Sequence, residues 1–80
     1  MNTSIDAFVE NFASQFDETP LDQFQASTAF RELEEWSSMT ALVIIAMVDE
    51  TYKVKLTGNE IKDSNTIEDL YKVVIAKVNG

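Results

Sequence analysis

The stretch WSSMTALVIIAMV, residues 36–48, decides the fold of this chain. From Ala41 to Val48 it is apolar without interruption, so a helix formed here has almost no polar face. Surface helices of small proteins usually carry about three to four apolar positions per two turns. A helix that is apolar on nearly every side needs more than one neighbour to cover it. The stretch therefore predicts a central, well-packed helix that begins at Ser37 or Ser38.

The length and composition of the chain predict one small domain, residues 1–80. Hydrophobic residues make up 45% of the sequence, which is ordinary for a globular protein and argues against disorder. Without cysteine, the chain has neither a disulfide nor a thiolate zinc site to stabilise it. Because a chain of this size buries only about 60–65% of its unfolded surface, its core must come from the apolar faces of helices.

The net charge of −8 is distributed unevenly. Residues 1–50 hold ten acidic residues and one base, Arg31, whereas residues 51–80 hold four acidic residues and five lysines. An acidic surface repels nucleic acid and anionic lipid, so neither is expected as a partner. The charge either keeps a small protein soluble or steers basic protein surfaces toward it, and the sequence leaves both readings open.

Apolar spacing in the first part of the chain predicts a helix and a long connection. Helix one is expected over about residues 4–16, and Pro20 stops it. Residues 17–36 then connect it to helix two, and their apolar anchors predict that this connection packs on the helices. A connection of this length in a small domain is either functional or holds a short helical turn. Phe30 is expected to lie underneath the helices.

The rest of the chain predicts two further helices after helix two, which should end near Tyr52 or Lys53. Residues 57–63 indicate a short third helix that follows a turn. Asn65 or Thr66 is expected to cap helix four. The apolar face of helix four repeats at helical spacing and consists of Ile67, Leu70, Val74 and Val78.

The residue inventory excludes most catalytic and metal chemistry. There is no histidine and no cysteine, so neither a nucleophile–histidine arrangement nor a site with such metal ligands can form. The two glycines cannot make a glycine-rich phosphate loop. Glu34-Glu35 and Asp49-Glu50 are adjacent pairs, and adjacent residues on a helix point apart, so they are expected to be solvated surface. Neither an enzyme nor a metal protein is expected.

The two serines at the start of helix two are the candidate functional residues. A serine oxygen there can cap the helix, and the free backbone N–H groups attract an anion. A phosphate-linked group on one serine would fit this position. Ser38 is either such an attachment point or merely a cap, a role worth about 1 kcal/mol. Ser37 can cap the helix equally well, which would leave Ser38 free.

An ordered set of short segments surrounds these serines. Residues 28–33 include a Thr-x-Phe and a later Leu, residues 48–52 close helix two with an acidic pair and an aromatic, Leu56 follows, and residues 66–70 open the last helix. In this order they resemble the acyl carrier protein family, whose phosphopantetheine-bearing serine lies at the start of its second helix. Ser38 occupies that position in this chain.

The resemblance implies a fold, a cofactor and partners. The fold would be an all-α four-helix bundle with a short third helix and a long loop between helices one and two. Ser38 would carry 4′-phosphopantetheine, with Ser37 as the cap or an alternative attachment point, and acyl or aminoacyl groups would be held as thioesters. Partners would be a phosphopantetheinyl transferase and the enzymes that load and transfer the cargo. The resemblance also implies a freestanding carrier, and a monomer is expected. A cytoplasmic location is expected because no signal peptide or membrane-spanning stretch is visible.

The chain departs from the family at the attachment motif, where Ser37-Ser38-Met39 replaces the usual Asp-Ser-Leu. Met for Leu conserves volume, but Ser for Asp removes a charge beside the modified residue. Helix two also lacks most of the acidic residues that the family shows to its partner enzymes. This difference points to a specialised fatty-acid or secondary-metabolite pathway. The residues expected to face partners are Met39, Thr40, Val43, Met47, Asp49 and Glu50.

The family pattern also indicates residues that line either a slot for the cargo or the plain core, and the sequence does not separate the two roles. These residues are Phe30, Ile44, Ile45, Val48, Tyr52, Leu56, Ile61, Leu70 and Val74. Trp36 is expected to be either a staple against the first helical turn or an aromatic lip beside the arm.

Two other functions remain open on the sequence alone. The chain is alternatively a carrier-shaped interaction protein that is never modified and binds a partner through helix two. A third reading is a binder of small apolar ligands that uses the slot without a covalent arm. Substituting Ser38 separates the carrier from both, because only a carrier should lose its function completely.

Overall fold

The computed structural model describes residues 3–80, which form four α-helices and two short 3-10 turns with no strand. The all-α architecture and the short third helix predicted from the sequence are confirmed. The helices are α1 (Ile5–Ala13), α2 (Ser38–Tyr52), α3 (Gly58–Asp63) and α4 (Ile67–Asn79), and the 3-10 turns are Leu21–Gln23 and Phe30–Glu32.

The first helix is shorter than its apolar spacing predicts. It ends at Ala13 rather than at residue 16, and the chain tightens into 3-10 geometry. Gln15 N–H donates to the Phe12 carbonyl at 3.2 Å, and Phe16 N–H donates to the Ala13 carbonyl at 3.0 Å. Phe16 remains buried, because the tight turn still directs its side chain inward. The spacing therefore predicted the buried face correctly and the end of the helix wrongly.

Side-chain caps begin the later helices. Thr57 and Glu60 form a reciprocal capping box at α3. The start of α4 has the same arrangement, in which Thr66 Oγ1 accepts from Asp69 N–H and the Asp69 carboxylate accepts from Thr66 N–H. Of the two predicted caps for this helix, Thr66 is the one used.

The connection between α1 and α2 packs as part of the core, as predicted. Its Phe24 and Phe30 side chains are buried. Phe12 of α1 lies among them, with its ring centroid 6.3 Å from that of Phe24 and 5.5 Å from that of Phe30. Trp36 joins the group, 5.0 Å from Phe30 between centroids. The connection is thus anchored to α1 immediately before α2 begins.

Backbone hydrogen bonds also fasten this connection to α4. The Thr28 carbonyl accepts from Ile67 N–H at 3.1 Å, and the Ala26 carbonyl accepts from Glu68 N–H at 2.9 Å. These donors belong to the first turn of α4, whose N–H groups lack partners inside the helix. The loop therefore satisfies two of them and is tied to the start of α4. Within residues 3–80, no helix is both long and apolar enough to cross a bilayer.

Candidate functional site

Ser37 caps α2. Its backbone is extended, with φ −154°, and its Oγ accepts a hydrogen bond from Thr40 N–H at 3.2 Å. The Ser37 hydroxyl lies 3.1 Å from Thr40 Oγ1, which itself donates to the Glu35 carbonyl at 2.8 Å. The Ser37 hydroxyl is therefore engaged with Thr40 and stabilises the start of the helix.

Ser38 is the first residue of α2, and its side chain is exposed. Its hydroxyl takes part in no hydrogen bond among residues 3–80, because Ser37 already supplies the cap. The first-turn N–H groups and the positive end of the helix dipole lie beside it, and both stabilise a phosphate. The position thus suits a hydroxyl that is to carry a phosphate-linked group.

A cleft of about 520 Å³ opens beside Ser38, between α2 and α3. Ser38 and Ala41 line it from α2, and Ile61 and Lys62 line it from α3. Trp36, which precedes α2, lines it as well. The volume lies within the range of about 300–1,000 Å³ that is usual for small-molecule sites. A group attached to Ser38 would therefore begin at the edge of a cleft large enough to shelter part of it.

Trp36 takes part in both the core and this cleft. Its indole stacks on Phe12 with ring planes 5° apart and meets Phe30 edge-on. The sequence left two roles open for Trp36, a staple against the first turn of α2 and an aromatic lip beside the arm. Its ring contacts are with α1 and the connection, and it lines the cleft at the position expected of such a lip.

The structure places the predicted slot-or-core residues mainly in the core. Ile45 is half-buried, and the other eight are buried: Phe30, Ile44, Val48, Tyr52, Leu56, Ile61, Leu70 and Val74. Among the nine, Ile61 is the one that also lines the cleft beside Ser38. The Tyr52 hydroxyl lies in the interior and accepts from Asn11 Nδ2 at 3.3 Å. These side chains hold the helices together rather than enclosing a deep channel.

The outward face of α2 differs in part from the predicted docking set. Met39 and Val43 are exposed, at 76% and 42%. Leu42, which the sequence reading missed, lies between them and is 65% exposed. The prediction that Met47 faces outward is wrong, since its side chain is 6% exposed and packs into the core. Position 42 could have been identified, because it lies one helical turn after Met39 on the same face.

The polar members of the docking set have different surroundings. Thr40 is half-buried, and its hydroxyl donates to the Glu35 carbonyl, so it supports the start of the helix. Asp49 pairs with Lys55 at 2.9 Å, and Glu50 is exposed. Apart from Ser38, the exposed residues of the first three turns of α2 are therefore apolar, and the acidic residues of the helix lie at its end.

Glu35 serves the fold of the connection rather than acid–base chemistry. Its carboxylate accepts hydrogen bonds from the Thr19 hydroxyl and from Glu18 N–H. The Thr19 hydroxyl, followed by the backbone donors, lowers the pKa of Glu35 below its ordinary value of 4.5. No cluster of carboxylates within residues 3–80 is arranged to hold a metal ion.

Comparison with known families agrees with this geometry. The model of the family described as a phosphopantetheine attachment site matches residues 6–74. No curated protein and no solved structure matches the chain. The match extends from α1 into α4 and includes Ser38 and the cleft. The chain therefore belongs to the phosphopantetheine attachment-site family, in agreement with its resemblance to acyl carrier proteins.

Proposed function

We propose that this protein is an acyl carrier that holds acyl or aminoacyl groups as thioesters on 4′-phosphopantetheine attached to Ser38. One observation supports Ser38 above all: its hydroxyl is exposed and free at the start of α2, because Ser37 makes the capping hydrogen bond. The attached group supplies the thiol that carries the cargo, which this cysteine-free chain does not provide itself.

The residues around Ser38 have distinct tasks in this proposal. Ser37 orders the first turn of α2, so that the Ser38 hydroxyl projects from a fixed position. The first-turn N–H groups and the helix dipole stabilise the phosphate through which the arm is joined. Trp36 and Ile61 offer apolar surface on which the arm can rest. Carrier domains are generally non-catalytic, and these residues only bind and orient.

Intact mass is the direct test of the attachment. The protein is incubated with coenzyme A and a broad-specificity phosphopantetheinyl transferase. A mass increase by one phosphopantetheine is expected in the unmodified sequence and in Ser37→Ala, but not in Ser38→Ala. Modification that persists in Ser38→Ala, or that is absent from all three proteins with several transferases, would contradict the proposal.

We propose further that the modifying, loading and transfer enzymes recognise the apolar outer face of α2, formed by Met39, Leu42 and Val43. These side chains are exposed next to Ser38, whereas the family usually presents acidic residues there. A partner matched to this face would have an apolar depression, consistent with a specialised fatty-acid or secondary-metabolite pathway. Exposed apolar patches are typical of protein docking sites.

A charge placed in this face tests its role. Val43→Asp should slow transfer to the partner about tenfold, a loss of about 1.4 kcal/mol, without unfolding the helix. Thr51→Asp is the matched control, since it adds the same charge at an exposed position near the end of α2. Equal rates for Val43→Asp and the control would show that partners do not use this face.

The exposed apolar face also favours one other function, an unmodified protein that binds a partner through α2. Ser37 in place of the usual Asp agrees with this alternative. It predicts no mass increase in the transferase experiment, together with loss of the partner in Val43→Asp. The two experiments therefore separate a carrier from a carrier-shaped interaction protein.

A further inference from the structure

Two cations lie in the cleft that opens at Ser38. Arg31 comes from the second 3-10 turn and Lys62 from α3, and both line the cleft. Arg31 is the single base among the first fifty residues of a chain that carries fourteen acidic and six basic residues. Among residues 3–80 no acidic side chain lines this cleft, although four glutamates line another cleft of about 490 Å³ on the α1–α2 connection.

Neither cation has a carboxylate partner within residues 3–80. The ion pairs found there are Lys55–Asp49 and Lys77–Glu60. Glu60, on the same short helix as Lys62, is occupied by Lys77 and by its own capping hydrogen bonds to Thr57. Its charge is therefore already satisfied elsewhere.

Asp69, one of the two acidic residues in the first turn of α4, is occupied in the same way. The Asp69 carboxylate accepts from the N–H groups of Asn65 and Thr66 at 3.1 Å each. Arg31 instead meets a neutral group, since one guanidinium nitrogen donates to Asn65 Oδ1 at 2.9 Å. That bond fixes the position of the guanidinium and leaves its other N–H donors available. The cleft thus offers an anchored guanidinium and an unpaired ammonium to a ligand.

We infer that this cleft selects a cargo that bears an oxyanion, namely an acyl group with a second, free carboxylate, and that Arg31 and Lys62 bind that carboxylate. The inference rests on the proposed attachment at Ser38. A guanidinium binds a carboxylate through two parallel hydrogen bonds, and a nearby ammonium adds attraction. Trp36, Ala41 and Ile61 give the cleft an apolar lining for the carbon chain. The phosphate of the arm offers the same oxyanion chemistry, so the experiment must separate the two.

Trp36 makes the cleft directly observable, because it is the single tryptophan of the chain. A broad-specificity transferase is supplied with coenzyme A, butyryl-coenzyme A or succinyl-coenzyme A, and each product is verified by intact mass. The two acyl groups have equal chain lengths and differ in the terminal carboxylate. Fluorescence of Trp36 and backbone amide signals of residues 58–62 are then compared among the three forms.

The succinyl form is expected to shift the Trp36 emission and the amide signals of α3 relative to the other two forms. The shift should be lost in Arg31→Gln and in Lys62→Gln, and retained in Lys72→Gln, a change to an exposed lysine outside the cleft. It should also shrink in high salt, since both cations are exposed.

Three results would overturn the inference. Equal spectra for the succinyl and butyryl forms would show that the carboxylate is not recognised. A cation-dependent shift that is already complete in the form without cargo would assign Arg31 and Lys62 to the phosphate of the arm. Failure to modify Ser38 at all would instead remove the proposed function, and this inference with it. Because Lys62→Gln leaves the Arg31–Asn65 hydrogen bond intact, the test does not depend on one variant folding.

Discussion

At the level of single residues, the two serines at the start of α2 have different surroundings. Ser37 caps α2, and Ser38 keeps its hydroxyl free. Serine and aspartate are about equally good N-caps, so serine at position 37 preserves the local fold. Unlike aspartate, serine carries no charge, so the cap leaves position 37 neutral beside the free Ser38 hydroxyl.

This division predicts different stabilities for two alanine variants. Ser37→Ala should lower the free energy of unfolding by about 1 kcal/mol, because it leaves the N–H of Thr40 without its partner. Ser38→Ala should change it by less than about 0.5 kcal/mol, since the exposed Ser38 side chain makes no hydrogen bond in the described structure. Urea unfolding followed by circular dichroism measures both. A larger loss for Ser38→Ala would make Ser38 the true cap.

The sequence predicts that α2 begins at these serines, because the start of a helix has a local signature. It does not predict which side of α2 faces the core. The apolar run through α2 offers no polar face, and helical spacing from the exposed residues reaches both Leu42, three residues after Met39, and Met47, four residues after Val43. Spacing therefore suggests position 42 but does not reveal that Leu42 is exposed and Met47 buried. The direction of each side chain depends on where α1, α3 and α4 pack. That information lies in long-range contacts. The docking set predicted from the apolar run therefore combines exposed residues, such as Met39, with a buried one, Met47.

At the level of elements, the end of α2 carries a conformational cost. Lys53 ends the helix in the left-handed region, with φ 60° and ψ 32°, and it is the residue with positive φ within the described chain. A side chain with a Cβ is strained there, whereas glycine is not. Lys53→Gly should therefore raise the free energy of unfolding by about 0.5–1 kcal/mol.

A glycine inside the same helix provides the control for that variant. Thr51→Gly should lower the free energy of unfolding by about 0.3 kcal/mol, because it adds backbone freedom in the unfolded chain and relieves no strain. Thermal unfolding of both variants measures the difference. A lower melting temperature for Lys53→Gly than for the natural sequence would contradict the argument.

The start of α3 makes stability depend on pH. The hydrogen bond from Lys77, followed by the donors of Thr57, lowers the pKa of Glu60 below its ordinary value of 4.5. A carboxyl with a lowered pKa in the folded state contributes its full stability above the unfolded value, and the contribution is lost as pH falls through the folded pKa.

Glu60→Gln should therefore be less stable than the natural sequence above about pH 5, with a gap that narrows toward pH 3. Urea unfolding at a series of pH values measures the gap. Glu68→Gln, an exposed change on α4, serves as the control for the altered net charge. A gap for Glu60→Gln that stayed constant with pH would show that the contacts with Lys77 and Thr57 do not lower the pKa of Glu60 in the folded state.

The elements with clear caps were also those whose limits the sequence predicted best. α2 begins after Ser37 and ends at Tyr52, as expected from its capping serine and the end of its apolar run. The end of α1 has no comparable signal, because the apolar spacing continues to Phe16 through residues whose N–H groups donate to the carbonyls three residues earlier. Helix and 3-10 geometry place a side chain three residues later on nearly the same side, so spacing alone could not separate them.

At the level of the whole molecule, the cleft beside Ser38 is built partly from the connection between α1 and α2, which packs into the core. Residues 17–36 contribute Phe24, Phe30 and Trp36 to one aromatic group around Phe12. The same segment carries Arg31 to the cleft beside Ser38. Family resemblance could suggest a slot near Ser38, but not its cationic lining. That lining joins residues from the connection, α2 and α3, which only the complete fold brings together.

Removing the centre of this aromatic group should affect both fold and function. Phe12 is fully buried, and its ring lies between 5.5 and 6.4 Å from those of Phe16, Phe24, Phe30 and Trp36. Phe12→Ala should cost about 3–5 kcal/mol, because it removes these contacts and leaves a cavity. Since a domain of this size is stable by only about 4–12 kcal/mol, this one change takes up much of its stability.

Spectroscopy of Phe12→Ala shows whether loss of this core contact also alters Trp36, which lines the cleft. In Phe12→Ala, near-ultraviolet circular dichroism and Trp36 emission should indicate a loosened aromatic group well below the unfolding temperature of the natural sequence. Leu21→Ala provides a control in the same connection, because Leu21 is 64% exposed and its loss should change stability by no more than about 0.5 kcal/mol. If Phe12→Ala kept the melting temperature of that control, the connection would be held by its backbone bonds to α4. Arg31 and Trp36 would then reach the cleft without help from the aromatic core.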